Sequence, residues 1–355
     1  MKCFREARRG KRNTVDENVF EQDLIRNLIN LRDTIMRRQY YPSRGIAFVI
    51  KQPVVREIFA APFRDRVVHH LLFRKQSPWW EKHFIYDSYS CRKGKGTLFG
   101  VKRIAHHIKS ASNNYQEKIY VASFDLSGYF MSLPRTALYE RIKWGLKRQY
   151  PNGGTWYEVC SFLWERIIMD DPVEGVRRRG KMSLWDIVPS NKSLFLQPDG
   201  VGIVIGNLTS QLLSNIYLDM LDQFVTKVLK YKHYGRYVDD FIIIVKAEEL
   251  PKLKQDVKVI QDYLKGIGLT MHPHKCKIQE ANKGTAFLGA VIYPWGIVPG
   301  RRLHRNIRDA VKKVSVVPKD RWVTSMVSYQ GHTCHYKDYR FWWKIFDEMG
   351  WDYQD

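Results

Sequence analysis

With 355 residues, 44% of them hydrophobic and 14% aromatic, the chain has ample core for one large multi-lobed unit or two to three small domains, which excludes a disordered protein. A net charge of +23, from 59 basic against 36 acidic residues, exceeds what solubility needs and favours a polyanionic partner, nucleic acid first. A membrane surface is the other common basic partner, but no apolar stretch approaches the roughly 18 residues that span a bilayer and Met1–Arg5 lacks a signal-peptide core, so a cytoplasmic protein without membrane contact is expected.

Residues 1–15 carry Lys2, Arg5, Arg8, Arg9, Lys11 and Arg12 with little to bury, and read either as a solvated tail or as an RNA-contacting arm. Phe20, Leu24, Ile25, Leu28, Leu31 and Ile35 then recur at helical spacing after a polar Asn13–Asn18 start, predicting one amphipathic helix that ends near Tyr40. Strand-like patterns follow at Ala47–Ile50 and Val54–Phe59, with Pro53 marking the turn, and Asp65–Phe73 returns to helix. The run Arg92-Lys93-Gly94-Lys95-Gly96 superficially suggests a phosphate loop but lacks the spacing and the following Ser or Thr. Arg92, Lys93 and Lys95 are better read as contacts to a nucleic-acid backbone.

Lys118–Asp125 reads as a buried strand ending in an aspartate. Helical patterns cover Pro134–Arg148 and 156–169, separated by the break Pro151-Asn152-Gly153-Gly154, and 170–200 looks like a loop-rich insertion carrying Arg177-Arg178-Arg179-Gly180-Lys181. Gln211–Leu229 is a long amphipathic helix leading into Tyr237-Val238-Asp239-Asp240, which the apolar run Phe241–Val245 follows. A helix at Leu250–Ile267 and strands near 275–293 complete a β-α-β-β-α-β order, an α+β arrangement in which Asp125 and the Asp239/Asp240 turn lie on neighbouring strands. In the last segment Ile307, Val311 and Val314 face one way while Arg301, Arg305, Arg308, Lys312 and Lys313 crowd the rest, with Trp322, Trp342 and Trp343 beyond. That suits a lobe on a duplex backbone, or equally a solvated face over a small core.

Two adjacent carboxylates on a tight turn cannot both enter a core, because unpaired buried charge is too costly. With Asp125 they make three carboxylates at strand ends, the hard oxygen cage Mg²⁺ prefers when substrate phosphates complete its shell. That is the two-metal arrangement of a polynucleotide polymerase. The five cysteines are odd in number and never spaced C-x-x-C, which fits a reducing compartment. His272-Pro273-His274-Lys275-Cys276 and His332-Thr333-Cys334-His335 match no zinc finger or ribbon spacing, so packing or phosphate contacts are expected of them instead.

The Tyr-Val-Asp-Asp turn, Asp125 at a strand end and Phe287-Leu288-Gly289 downstream together resemble a reverse transcriptase palm. Ile205-Gly206-Asn207-Leu208-Thr209-Ser210-Gln211 sharpens this. Most reverse transcriptases have glutamine at the first position and proline after the serine, whereas this pattern is similar to the reverse transcriptases of diversity-generating retroelements. Further matches are Arg8–Arg12, Arg56-Glu57-Ile58, Phe63–His70, Lys93–Thr97 and Gly331-His332, so the resemblance spans nearly the whole chain.

The resemblance implies a right-hand polymerase with fingers, a ferredoxin-like palm and a short helical thumb. Residues 1–118 would form an N-terminal extension and fingers, 119–133 and 205–298 the palm, 134–204 a fingers insertion and 299–355 the thumb. Asp125, Asp239, Asp240 and the Leu126 carbonyl would hold two Mg²⁺ ions, with Mn²⁺ able to substitute. Phe130 would block a ribose 2′-hydroxyl, so deoxynucleotides are expected. Arg56 would grip the incoming triphosphate, a role suited to a planar, always-charged guanidinium. The family often has a lysine two residues before that arginine; this chain has Val54, and Lys51 is the substitute expected. Gly206 and Gln211 would help shape the nucleotide site, Lys275 would be a general acid for pyrophosphate, and Phe287, Leu288 and Gly289 would grip the primer.

Ile205 offers contact area where glutamine would hydrogen-bond. It either merely packs or weakens discrimination, and in the family the isoleucine pattern goes with error-prone copying opposite template adenines. The implied partners are a template-repeat RNA, a cDNA or DNA primer, deoxynucleotides and a pentameric accessory variability protein, in a bacterial or phage-encoded setting. The competing readings are a retron- or group-II-like reverse transcriptase of ordinary fidelity, an RNA-dependent RNA polymerase, which would normally carry Gly-Asp-Asp, and an inactive palm that scaffolds RNA.

Overall fold

The computed structural model describes residues 1–11, 14–52, 54–313 and 316–348, so Arg12, Asn13, Pro53 and Val314, each given a part above, lie outside the described residues. The chain opens with helices α1 (Lys2–Arg8), α2 (Val15–Gln22) and α3 (Leu24–Met36). The expected single helix is thus two. Asp23, at φ −127° and ψ 51°, breaks it and turns Phe20 back onto Phe4 and Phe63, with ring centroids 6.4 and 5.4 Å away. The N-terminus is therefore not a solvated tail: Phe4 and Ala7 are buried and Arg8 is committed to Glu17 and Glu21, each at 2.8 Å, while Lys2, Arg5, Arg9 and Lys11 stay exposed.

Strands β1 (Ile46–Ile50) and β2 (Arg56–Ala60) pair antiparallel, and helix α4 (Phe63–His83) runs well past the expected Asp65–Phe73. Its continuation is held by Trp80, fully buried where Gly145 leaves room for the indole. Helix α5 (Thr97–Ala111), absent from the sequence expectations, buries Val101, Ile104 and Ile108 at 3- and 4-residue spacing. Next come β3 (Ile119–Phe124), the short α6 (Tyr129–Ser132), α7 (Arg135–Gln149) and α8 (Thr155–Met169). The turn between α7 and α8 contains Gly153 and Gly154 at φ +69° and +99°, with open space where a Cβ would project. In the insertion, β4 (Arg177–Arg179) pairs parallel with β1, giving a sheet of order β2-β1-β4.

Helix α9 (Leu208–Gln223), strands β5 (His233–Tyr237) and β6 (Asp240–Lys246), helix α10 (Leu250–Gly266) and strand β7 (Lys277–Glu280) build the central layer. Its sheet has the order β5-β6-β3-β7, every pair antiparallel, so the Asp125 strand and the Asp239/Asp240 hairpin are neighbours as expected. The unbroken apolar run of β6 follows from burial on both faces. Phe241, Ile243 and Val245 pack with α9 and α10, while Ile242 and Ile244 pack with α5.

The strands expected through residue 293 do not all join this sheet. After β7, Gly284 at φ +84° redirects the chain, and β8 (Thr285–Phe287), β9 (Ala290–Tyr293) and β10 (Gly296–Pro299) form a separate sheet. Helices α11 (Arg301–Val311), α12 (Lys319–Thr333) and α13 (Tyr339–Glu348) follow. The Trp322 indole donates to the Ala310 carbonyl at 3.0 Å and the Trp342 indole to the Thr333 hydroxyl at 2.8 Å, tying this lobe to itself. No helix among the described residues is long and apolar enough to cross a membrane.

Candidate active site

β3 delivers Asp125 at its C-terminal end, and the β3–β6 register pairs Phe124 with Phe241, one residue past Asp240. The two phenyl rings stack at 4.8 Å, which pins that register. Carboxylate oxygens of Asp125, Asp239 and Asp240 consequently lie within 4.8 Å of one another, the one converging set of metal-ligand type among the described residues. The His272/His274/Cys276 and His332/Cys334/His335 groups therefore form no such set.

Three acids this close repel one another. Burial raises the Asp239 carboxyl above its ordinary value and the Asp125 charge adds to the rise, while Lys275 and Arg56 pull it down. Asp240 is pushed up to about 7 by burial, by the Asp239 charge and by its hydrogen bond with Asp125. One ammonium serves the cluster directly, Lys275 Nζ at 2.6 Å from Asp125 Oδ2. A single lysine against three carboxylates leaves negative charge for a hard cation to satisfy, and the all-oxygen donor set fits one. Leu126 forms an isolated bridge with Met271 made by flanking bonds, Ser127 N–H to the Thr270 carbonyl and His272 N–H to the Asp125 carbonyl. That pattern turns the Leu126 carbonyl away from Met271.

The β5–β6 turn is two residues long, Val238 and Asp239 between the paired Tyr237 and Asp240. Such turns need φ above zero at their first position, usually supplied by glycine. Here Val238 sits at φ +55°, a strained place for a β-branched residue that costs about 1–3 kcal/mol. Beneath it lies a network that the sequence reading misses. Arg236, with no exposed surface, donates from Nε and Nη2 to both Asp222 oxygens at 2.7 and 2.6 Å, and from Nη1 to the Val238 carbonyl at 3.0 Å. Tyr234 Oη donates to Asp222 at 2.7 Å. A signal for it exists in the sequence: Tyr234 and Arg236 alternate onto one face of a strand, and a buried arginine there requires a partner.

Arg56 on β2 is close enough for its charge to reach Asp239. Lys51 is exposed on the loop before it. Phe130 and Ile205 belong to one apolar cluster with Ala47, Phe59 and Met131 and with Trp185, Leu194 and Phe195 of the insertion. The Ile205 carbonyl accepts from Phe59 N–H at 2.8 Å. Gly206, at φ +132°, lies where a Cβ would run into the Phe59 carbonyl oxygen, so this segment tolerates only glycine. Gln211 is exposed on the first turns of α9. Glu57, buried beside Arg56, accepts from Ser193 Oγ at 2.6 Å and Leu194 N–H at 2.7 Å, and so latches the insertion onto β2.

A cleft of about 870 Å³ opens beside Asp240, lined by Phe124, Phe287, Leu288, Gly289, Arg301 and His332 among others. Leu288 and Gly289, at φ +50° and +83°, form the β8–β9 turn, and the Gly289 carbonyl accepts from Gly300 N–H at 2.8 Å, which ties the turn to the start of α11. Arg301, Arg305, Arg308 and Lys312 are all exposed on or just after α11. Arg92 corrects the sequence reading. It is buried, donating to Glu81 at 2.9 Å and to the Ile85 and Ser88 carbonyls at 2.6 and 2.9 Å, so it holds the fold together and does not face a nucleic acid. Lys93 is exposed, whereas Lys95 is half-buried over the Tyr86 ring at 4.4 Å, and burial lowers its amine to about 8.

Residues 55–292 match the family described as reverse transcriptase (RNA-dependent DNA polymerase). Protein YkfC of Escherichia coli (strain K12) is 22% identical over 350 residues, a match covering 86% of this chain and 79% of that protein. Among solved structures, apo telomerase from Candida tropicalis truncated from its C-terminal domain aligns with a TM-score of 0.50 at 14% identity, covering 78% of this chain and 60% of that one. Telomerase from Candida tropicalis in complex with a fragment of telomeric RNA aligns with a TM-score of 0.49 at 13% identity, covering 88% of this chain and 56% of that one.

Proposed function

Because the chain belongs to the reverse transcriptase (RNA-dependent DNA polymerase) family, we propose that it copies a template-repeat RNA into cDNA with errors concentrated opposite adenines, as the polymerase of a diversity-generating retroelement. The observation that carries the finer reading is Ile205: an apolar side chain, in one cluster with Phe130, at the position where most of the family has a hydrogen-bonding glutamine. A contact of area alone discriminates weakly between right and wrong base pairs, by roughly 1–3 kcal/mol.

Asp125, Asp239, Asp240 and the Leu126 carbonyl would hold two divalent cations, Mg²⁺ first and Mn²⁺ as substitute. When bound, such ions lower the pKa of a primer 3′-hydroxyl and neutralise charge on the triphosphate. Arg56 grips the triphosphate, with Lys51 adding charge from the loop before it. Phe130 closes the ribose edge against a 2′-hydroxyl. Lys275, paired with Asp125, is assigned to give a proton to pyrophosphate. Phe287, Leu288 and Gly289 line the cleft beside Asp240 and are assigned to the primer terminus. Lys93, in the fingers, and the exposed Arg301, Arg305, Arg308 and Lys312, on or just after α11, are assigned to the nucleic-acid backbone.

We assign residues 119–133 and 205–298 to the palm, 1–118 and 134–204 to the fingers and 299–355 to the thumb. The single sheet shared by β3 and β5–β7 supports the palm assignment. A pentameric accessory protein and the cognate RNA complete the assembly in this reading.

Primer extension on an RNA template with Mg²⁺ and deoxynucleotides, followed by product sequencing, tests it. Misincorporation is expected opposite adenine and falls several-fold in Ile205→Gln. Errors spread evenly over the four template bases, unchanged in Ile205→Gln, would leave a reverse transcriptase of ordinary type.

A further inference from the structure

The Arg236 network lies outside the machinery just described, yet one of its bonds ends on the turn that carries Asp239. We propose that Arg236, clamped by Asp222, is a positioning residue that holds Val238 in its left-handed conformation and thereby sets Asp239 against Asp125 and Asp240. The inference rests on the cation-binding reading of those acids.

Arg236 and Asp222 are both without exposed surface, and replacing a buried ion pair by apolar side chains of similar size is often neutral or stabilising. Stability alone therefore gives no reason for the pair. Its geometry does. Two parallel bonds to Asp222 fix the plane of the guanidinium, and Ser88 Oγ accepts from Nη2 at 3.2 Å. That leaves Nη1 aimed at the Val238 carbonyl at 3.0 Å. The backbone on which the side chain stands is also fixed: the Arg236 N–H donates to the Asp87 carbonyl, and the Arg236 carbonyl accepts from Tyr89 N–H, each at 2.9 Å. A turn without glycine at its first position relaxes unless something opposes the relaxation, and the charged bond to the Val238 carbonyl is placed to do so. Lysine lacks the planar fork and could not clamp and reach at once.

The test measures Mn²⁺ binding to the full chain by electron paramagnetic resonance, alongside primer extension. Arg236→Lys is expected to bind Mn²⁺ about 10-fold more weakly and to extend primers about 10²-fold more slowly at saturating deoxynucleotide, with KM for deoxynucleotide within about twofold, the pattern of a misplaced reacting group. The paired Arg236→Met/Asp222→Leu change, made together with Tyr234→Phe because the buried Tyr234 hydroxyl would otherwise lose its acceptor, leaves no unpaired charge, so it keeps a folded protein in hand and should show the same Mn²⁺ loss. Adding Val238→Gly to either background should recover most of the lost affinity, because glycine takes the left-handed conformation unaided. Wild-type Mn²⁺ affinity in the folded paired variant, or no recovery with Val238→Gly, overturns the proposal. If the wild-type protein binds Mn²⁺ no better than Asp239→Asn does, the cation reading itself fails and takes this inference with it.

Discussion

Asp240 carries the sharpest pH signature of any single residue here. Its folded carboxyl is pushed up to about 7 from an ordinary 3.8, so the native state holds a proton that the unfolded chain releases. The contribution is fully present below the unfolded value and is lost as pH rises through the folded one. In chelator, stability should fall between about pH 4 and 7 and flatten above. Asp240→Asn should reduce that slope in a denaturant titration, leaving the part that the raised Asp239 carboxyl contributes, while ending primer extension. Mg²⁺ should stabilise the wild type more at about pH 8 than at about pH 6, because below about 7 the cation competes with the proton on Asp240. At Arg56, lysine substitution should raise KM for deoxynucleotides by about tenfold, since a point charge does not reproduce a bidentate fork.

At the scale of elements, Glu57 offers a clean test of how the insertion is held. Glu57→Ala leaves Ser193 Oγ and Leu194 N–H without their buried acceptor, a loss of about 1–3 kcal/mol, and limited proteolysis between residues 181 and 200 should become faster. Much of the element order is legible in the sequence, because β3, β6, α7, α8 and α10 carry strong periodicity or unbroken apolar runs. The failures have particular causes. Asp23 is an ordinary polar residue within a helical pattern, so nothing local announces the break between α2 and α3. Residues 1–11 offer little to bury on their own, and the side chains that cover Phe4 come from Phe20 and Phe63, which only the tertiary fold brings near. Arg92 sits in a basic run that looks solvated, and its true partners are two carbonyls and a glutamate on other turns of the chain. The three acids can be read directly, whereas the Arg236 clamp beneath them requires the strand faces to be followed one residue further.

For the whole molecule, the excess of positive charge makes RNA affinity an electrostatic quantity in large part. Binding of a template RNA should weaken steeply with salt, by about 10³-fold between roughly 50 and 200 mM, if six or more phosphates are neutralised. Charge reversal at Arg301 and Arg305 should reduce the slope of log affinity against log salt, whereas the same change at Arg92 should destabilise the protein instead, as a melting experiment would show. The family match and the alternation of sheets and helices agree on a right-hand polymerase built around one antiparallel sheet.

The Gly153–Gly154 turn lies on the surface with space around both glycines, and in the chain it falls between Asp125 and the Asp239/Asp240 pair. A chain made as two separate pieces divided there would carry an incomplete set of acids in each. They would rejoin chiefly by re-forming the β3–β6 pairing and the α7–α8 contact. Such a divided polymerase would act as a reporter of its own reassembly, silent as separate fragments and active when two fused partners bring the halves together.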